Sequence, residues 1–141
     1  VLARKLRGID CRLYLRAPFG VTNDNREEAT MEELHYKLCF YVPVSHVEQV
    51  KTAIFEAGAG HLGDYDCCSF QTLGQGQFRP LPGSKPFLGE QDQVEVVEEY
   101  RVETLCLESC LQAVISALRL SHPYEEPAID LWKLERLPGT H

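Results

Sequence analysis

Ser121-His122-Pro123-Tyr124-Glu125-Glu126-Pro127 lies between an amphipathic run that ends at Leu120 and a short apolar stretch, Ala128-Ile129-Asp130-Leu131-Trp132. A helix arriving from upstream must stop here, because Pro123 lacks a backbone donor and biases His122 away from helical dihedrals. Pro127 then holds the turn open until a strand begins near Ala128. The stretch is thus a helix-to-strand corner, and it places one strand at the end of the fold. It also concentrates an imidazole and two carboxylates, side chains that bind metals, titrate or pair with basic groups. The same residues can equally do no more than cap and solvate a corner.

Working back from the corner, Ser109-x-x-Gln112 predicts a capping box, with Leu111, Val114, Ile115 and Leu118 as the buried stripe of a second helix. Val94 to Leu107 reads as a long third strand with a bulge expected at Glu98, and Tyr65 to Thr72 as a second strand. Ser45-x-x-Glu48 is another capping box, followed by Val47, Val50, Ile54 and Ala57 at helical spacing and closed by Gly58 and Gly60. Tyr36 to Val42 is a nearly continuous apolar and aromatic strand, ended by Pro43. The last strand runs from about Ala128 to Leu134. The order strand, helix, strand, strand, helix, strand is the ferredoxin-like split βαβ arrangement, an α+β fold. It predicts a four-stranded antiparallel sheet with two helices on one face.

The chain has 141 residues, 44% of them hydrophobic and 25% charged, which suits one globular domain with a real core. The domain is expected over residues 34–136, with 137–141 a tail. Residues 1–33 begin with a basic run and hold no lasting apolar period, so they read as a disordered extension; a second reading takes Met31 as the true start. A net charge of -7 argues against nucleic acid or an anionic membrane as partner, since both need clustered Lys and Arg. No run is long and apolar enough to span a bilayer, and none has the shape of a secretory signal. Cys11, Cys39, Cys67, Cys68, Cys106 and Cys110 include no C-x-x-C pair, so reduced thiols in a cytoplasmic protein are expected.

One layer of helices covers only one face of such a sheet. Cys67, Val102 and Trp132 are expected to offer apolar surface on the other face, to be buried by self-association with closed symmetry. Gly74 to Glu90 is far longer than a hairpin needs, and loops of that length tend to carry function. Phe78 and Phe87 are its aromatic anchors, and Arg79 and Lys85 its cations. The split βαβ topology gathers His46, Arg79, Lys85, His122, Glu125 and Glu126 at one end of the sheet and puts His61 at the other. Phe78, Arg79, Lys85 and His46 are therefore the candidate ligand-binding residues. His122, Glu125, Glu126 and His61 are the candidate metal ligands, His61 only by way of a neighbouring subunit. There is no phosphate-binding loop, nucleophile elbow or H-E-x-x-H motif.

Several runs resemble the domain inserted in Nif-three-like proteins, also found as a short free-standing bacterial protein. They are Glu56-Ala57-Gly58-Ala59-Gly60-His61-Leu62-Gly63-Asp64-Tyr65, Gly76-Gln77-Phe78-Arg79-Pro80, Pro86-Phe87-Leu88-Gly89-Glu90, Val97-Glu98-Glu99-Tyr100-Arg101-Val102-Glu103 and His122-Pro123-Tyr124-Glu125-Glu126-Pro127-Ala128. Asp92 stands where the pattern tends to have Gly, and Ile129 where it tends to have Tyr. The resemblance implies a PII/CutA-like fold and a homotrimer. It does not bring the family's dinuclear metal centre, which flanking domains build. Three readings remain open at this point. The leading one is a non-enzymatic homotrimeric module that binds or senses a small ligand or cation. The others are a metal-assisted hydrolase using His122 with Glu125 or Glu126 and a divalent metal, and a protein-interaction module using the 74–93 loop.

Overall fold

The side chains of the first strand fix the layers. The computed structural model describes residues 33–139, so the expectations for a disordered extension and for Met31 as the start lie outside the described residues. In β1 (His35–Pro43), Leu38, Phe40 and Val42 are fully buried on the face that meets the helices. A short 3₁₀ turn (Val44–His46) leads into α1 (Val47–Glu56), which buries Val47, Val50 and Ile54. Then follow β2 (Ser69–Phe78), β3 (Glu95–Leu107), α2 (Glu108–Ser121) and β4 (Ile129–Lys133). The four strands pair antiparallel in the order β2-β3-β1-β4, the split βαβ sheet. Cys110, Val114 and Leu118 of α2 join Val102 and Cys106 of β3 in the same core. Burying each large side chain there contributes about 1.5–3 kcal/mol.

The sheet extends further than the sequence pattern indicates. β2 begins at Ser69 and continues through Gly74-Gln75-Gly76-Gln77 to Phe78, which shortens the connection to residues 79–94. Pairing from Ser69↔Thr104 to Phe78↔Glu95 keeps one register, so the bulge expected at Glu98 does not exist. Because β1 stops at Pro43↔Glu99, the pairs from Gln75↔Glu98 to Phe78↔Glu95 form a two-stranded ribbon beyond it.

Neither capping box forms. α1 has His46 at its N-cap and α2 has Leu107, both without a side-chain cap. Instead, the segment before β1 satisfies the start of α2: Glu108 N–H donates to Leu34 O at 2.9 Å and Ser109 N–H to Glu33 Oε1 at 3.0 Å. Helix ends need partners for their free N–H groups, and here tertiary contacts supply them.

The face without helices is mixed in character. The register places Lys37, Cys39 and Tyr41 there beside Arg101 and Glu103, with Phe70 and Trp132 on the flanking strands. Phe70 is 69% and Trp132 47% exposed. Arg101 pairs with Glu103 at 2.7 Å and donates to the Cys39 sulfur at 3.4 Å, which leaves Cys39 fully buried. Two expectations for this face are corrected. Val102 points into the helix-side core, and Cys67 lies outside the strands, exposed in the approach to β2.

Asp92 adopts φ 64°, the left-handed conformation that glycine favours, and its N–H donates to Pro80 O at 2.8 Å. Asp tolerates that region, whereas a β-branched residue does not. Asp92→Val is expected to lower stability by about 1–2 kcal/mol. Asp92→Gly should be accepted without loss. Equal melting temperatures for the Val and Gly variants would contradict the strained turn.

Candidate functional site

The helix-to-strand corner is built around the His122 ring. α2 ends with His122 as its C-cap, the His122 N–H bonding Leu118 O at 2.9 Å. The ring turns under the sheet end: Nδ1 accepts the Tyr124 N–H at 3.1 Å, and Nε2 lies 2.7 Å from Tyr41 O. An acceptor Nδ1 requires the proton on Nε2, which then donates to the Tyr41 carbonyl. Burial lowers the His122 pKa, and nearby His46 lowers it further, against the upward pull of the Tyr41 carbonyl. The ring is therefore a neutral tie between β1 and the turn.

That tie sets Tyr124 in place. Its ring lies 5.0 Å from His122, 6.1 Å from Phe78 and 6.3 Å from Phe87, centroid to centroid, and Phe87 meets His46 edge-on at 5.3 Å. The Tyr124 hydroxyl donates to Glu99 Oε2 at 3.2 Å. Burial first, and then the Glu99 charge, push the Tyr124 pKa to about 12, so the phenol stays protonated. The Glu99 carboxylate lies directly over Gly76, where any Cβ would collide with it. Gly76 in an otherwise ordinary strand position thus leaves room for the acceptor that holds Tyr124.

The 79–94 connection closes over this cluster. Its Lys85 N–H donates to Glu125 Oε2 at 2.9 Å, and its Leu81 carbonyl accepts from the Ser84 hydroxyl at 2.7 Å. The result is a cavity of about 560 Å³ walled by Tyr41, Phe78, Phe87, Tyr124, Leu81 and Leu88, with Arg79 and Glu126 also on its lining.

The candidate residues divide clearly. Phe78, Arg79, Glu125 and Glu126 line the cavity. His46 stands behind Phe87, with its Nδ1 2.8 Å from the Ser45 hydroxyl, and Lys85 contributes its backbone N–H. His61 lies in a separate pocket of about 220 Å³ beside Phe55, Glu56, Asp66 and Cys67. As placed, His122, Glu125, Glu126 and His61 do not make a metal site. Both His122 nitrogens are engaged by backbone, Glu125 holds Lys85, and no group of three or more potential ligands converges among the described residues. Tyr41, Glu99 and Tyr124 were not among the candidates. Tyr124 sits within the decisive stretch, but only the fold brings it against Glu99, 25 residues away.

Fold and cavity together define a class: a ferredoxin-like βαββαβ domain with an aromatic-walled, small-molecule-sized cavity at one end of its sheet. No family model matches the sequence. Curated relatives do. The chain is 49% identical over 103 residues to a "GTP cyclohydrolase 1 type 2 homolog" of Bacillus subtilis strain 168, covering 73% of this chain and 28% of that protein. It is 48% identical over 103 residues to the protein of the same name from Mycobacterium leprae, covering 73% and 27%. Among solved structures, a Bacillus cereus protein related to NIF3 superposes with TM-score 0.66 at 41% identity, covering 76% of this chain and 27% of that one. The chain is homologous to one segment of the NIF3 (Nif-three-like) family. It spans a little over a quarter of the length of these relatives. The divalent cation tolerance protein CutA of Archaeoglobus fulgidus shares the fold, with TM-score 0.54 at 16% identity over 74% of this chain and 88% of that one.

Proposed function

We propose that this chain is a non-enzymatic, homotrimeric small-ligand-binding module whose ligand enters the cavity between Tyr41, Phe78, Phe87 and Tyr124. The cavity itself carries the reading: about 560 Å³ of mostly apolar space with a few polar groups is the ordinary form of a small-molecule site. Binding is favoured over catalysis because three of the titratable groups there have architectural tasks. Glu99 holds Tyr124, Glu125 holds Lys85, and the Tyr124 phenol is protonated at neutral pH. The cyclohydrolase in the relatives' names belongs to proteins more than three times as long as the matched segment.

The test is thermal unfolding of the full chain against a panel of small metabolites and divalent metal salts. A ligand at a hundredfold excess over its Kd adds about 2.7 kcal/mol of stability. Phe78→Ala should abolish that shift and His61→Ala should preserve it. A shift produced by metal salts alone and kept by Phe78→Ala would overturn the cavity reading.

Self-association is supported by Phe70 and Trp132 on the helix-free face, since exposed large aromatics mark interfaces. Trp132 fluorescence should move to the red on dilution from trimer to monomer. Sedimentation as a monomer at micromolar concentration would remove the trimer from the proposal.

A further inference from the structure

Four charged side chains line the cavity, and the structure sorts them. Glu99 accepts from the Tyr124 hydroxyl and Glu125 from the Lys85 N–H. Arg79 and Glu126 have no hydrogen bond or ion pair among the described residues. They are opposite in sign and border one cavity, yet they do not come within the 4.0 Å that would make them an ion pair. They also belong to different segments, Arg79 to the connection leaving β2 and Glu126 to the turn entering β4. The rings of Phe78, Phe87 and Tyr124 wall the same cavity.

A purely anionic ligand would satisfy Arg79 and face the uncompensated Glu126 carboxylate. A purely cationic one would do the reverse. A ligand carrying both charges on an apolar body satisfies each group and fills the aromatic space. We infer that the cavity binds a zwitterionic α-amino acid with an apolar side chain, its carboxylate on Arg79, its ammonium on Glu126 and its side chain among Phe78, Phe87 and Tyr124. A guanidinium suits a carboxylate because its fork donates two parallel hydrogen bonds, and a carboxylate suits an ammonium as a charged acceptor. Such a ligand bridges the two segments that the Lys85–Glu125 hydrogen bond already joins, so binding tightens the connection over the cavity. The inference rests on the cavity reading and names its ligand class.

Isothermal titration of the full chain with phenylalanine, phenethylamine and 3-phenylpropionate tests it, with backbone and ring NMR shifts of Tyr41, Phe78 and Tyr124 reporting the location. Phenylalanine should bind in the cavity, and each analogue, lacking one charge, roughly fivefold more weakly, the scale of one exposed ion pair. Arg79→Gln should weaken phenylalanine and phenylpropionate and leave phenethylamine unchanged. Glu126→Gln should weaken phenylalanine and phenethylamine and leave phenylpropionate unchanged. Either analogue binding as tightly as phenylalanine would overturn the inference. So would failure of all three to bind; if other members of the small-molecule panel then move the Tyr124 signals, the ligand class alone is wrong. If nothing moves them, the cavity reading fails with it.

Discussion

Gly60→Ala is expected to cost about 2–5 kcal/mol of folding stability, the sum of a left-handed backbone penalty and overpacking. Gly60 has φ +81°, and a Cβ there would lie 2.9 Å from Phe55 Cε1 and 3.0 Å from the Cys68 backbone nitrogen. Neither neighbour yields easily. The Gly60 N–H donates to Leu105 O at 2.7 Å, and its carbonyl accepts from Cys68 N at 2.9 Å, which locks the loop between α1 and β2 against β3. Moving the backbone to admit a methyl group breaks one of these bonds, and moving Phe55 disturbs the core that it packs against. Gly63 separates the two contributions. It also has positive φ, +57°, but nothing lies within 4 Å of its would-be Cβ. Gly63→Ala should therefore cost only the backbone share, about 1–2 kcal/mol. Urea unfolding of the two variants decides the matter: equal losses would show that the close approach at Gly60 carries no energy.

What the sequence conveys about this fold follows from where its energies lie. The helices and β1 are legible because burial imposes a period, as in Val47, Val50 and Ile54 of α1 and in Leu38, Phe40 and Val42 of β1. The second half of β2 is not legible, because Gly74-Gln75-Gly76-Gln77 has neither β-branched residues nor apolar alternation. Its strand conformation comes from pairing with β3, a partner distant in sequence, and Gly76 is there for the Glu99 carboxylate rather than for the strand. The helix starts were misread for a related reason. Capping boxes are local signals, and at α2 the N–H groups found Leu34 and Glu33, more than 70 residues away, instead. At the site, the topology alone places Arg79, Glu125 and Glu126 at one end of the sheet and His61 elsewhere, and in the structure the first three line one cavity and His61 another pocket. It did not reveal that His122 would be consumed by two backbone groups, because a histidine's hydrogen bonds have no signature in sequence.

His122→Ala should destabilise the protein by about 2–6 kcal/mol, because it leaves the Tyr41 carbonyl and the Tyr124 N–H without their partner, at about 1–3 kcal/mol for each buried group left unpaired. The same tie predicts how the wild-type protein responds to acid. Burial holds the folded-state pKa of His122 below its ordinary value of 6.5, so on acidification the unfolded chain takes up the proton first. The stabilisation is complete above pH 6.5, falls as the pH drops through that value, and levels off only below the folded-state pKa. In the folded protein Nδ1 takes up a proton only as the pH approaches the lowered folded-state pKa. That proton removes the acceptor for the Tyr124 N–H, so Tyr124 should loosen and ligand binding should weaken at the acid end of this interval. His122→Phe keeps a ring in the corner and takes away the titration. It should be less stable than wild type at neutral pH but lose less of its stability between pH 7 and about 5, the range in which an ordinary histidine charges. A wild-type protein whose stability changes with pH over that interval no more than that of His122→Phe would show that the buried imidazole does not govern the corner.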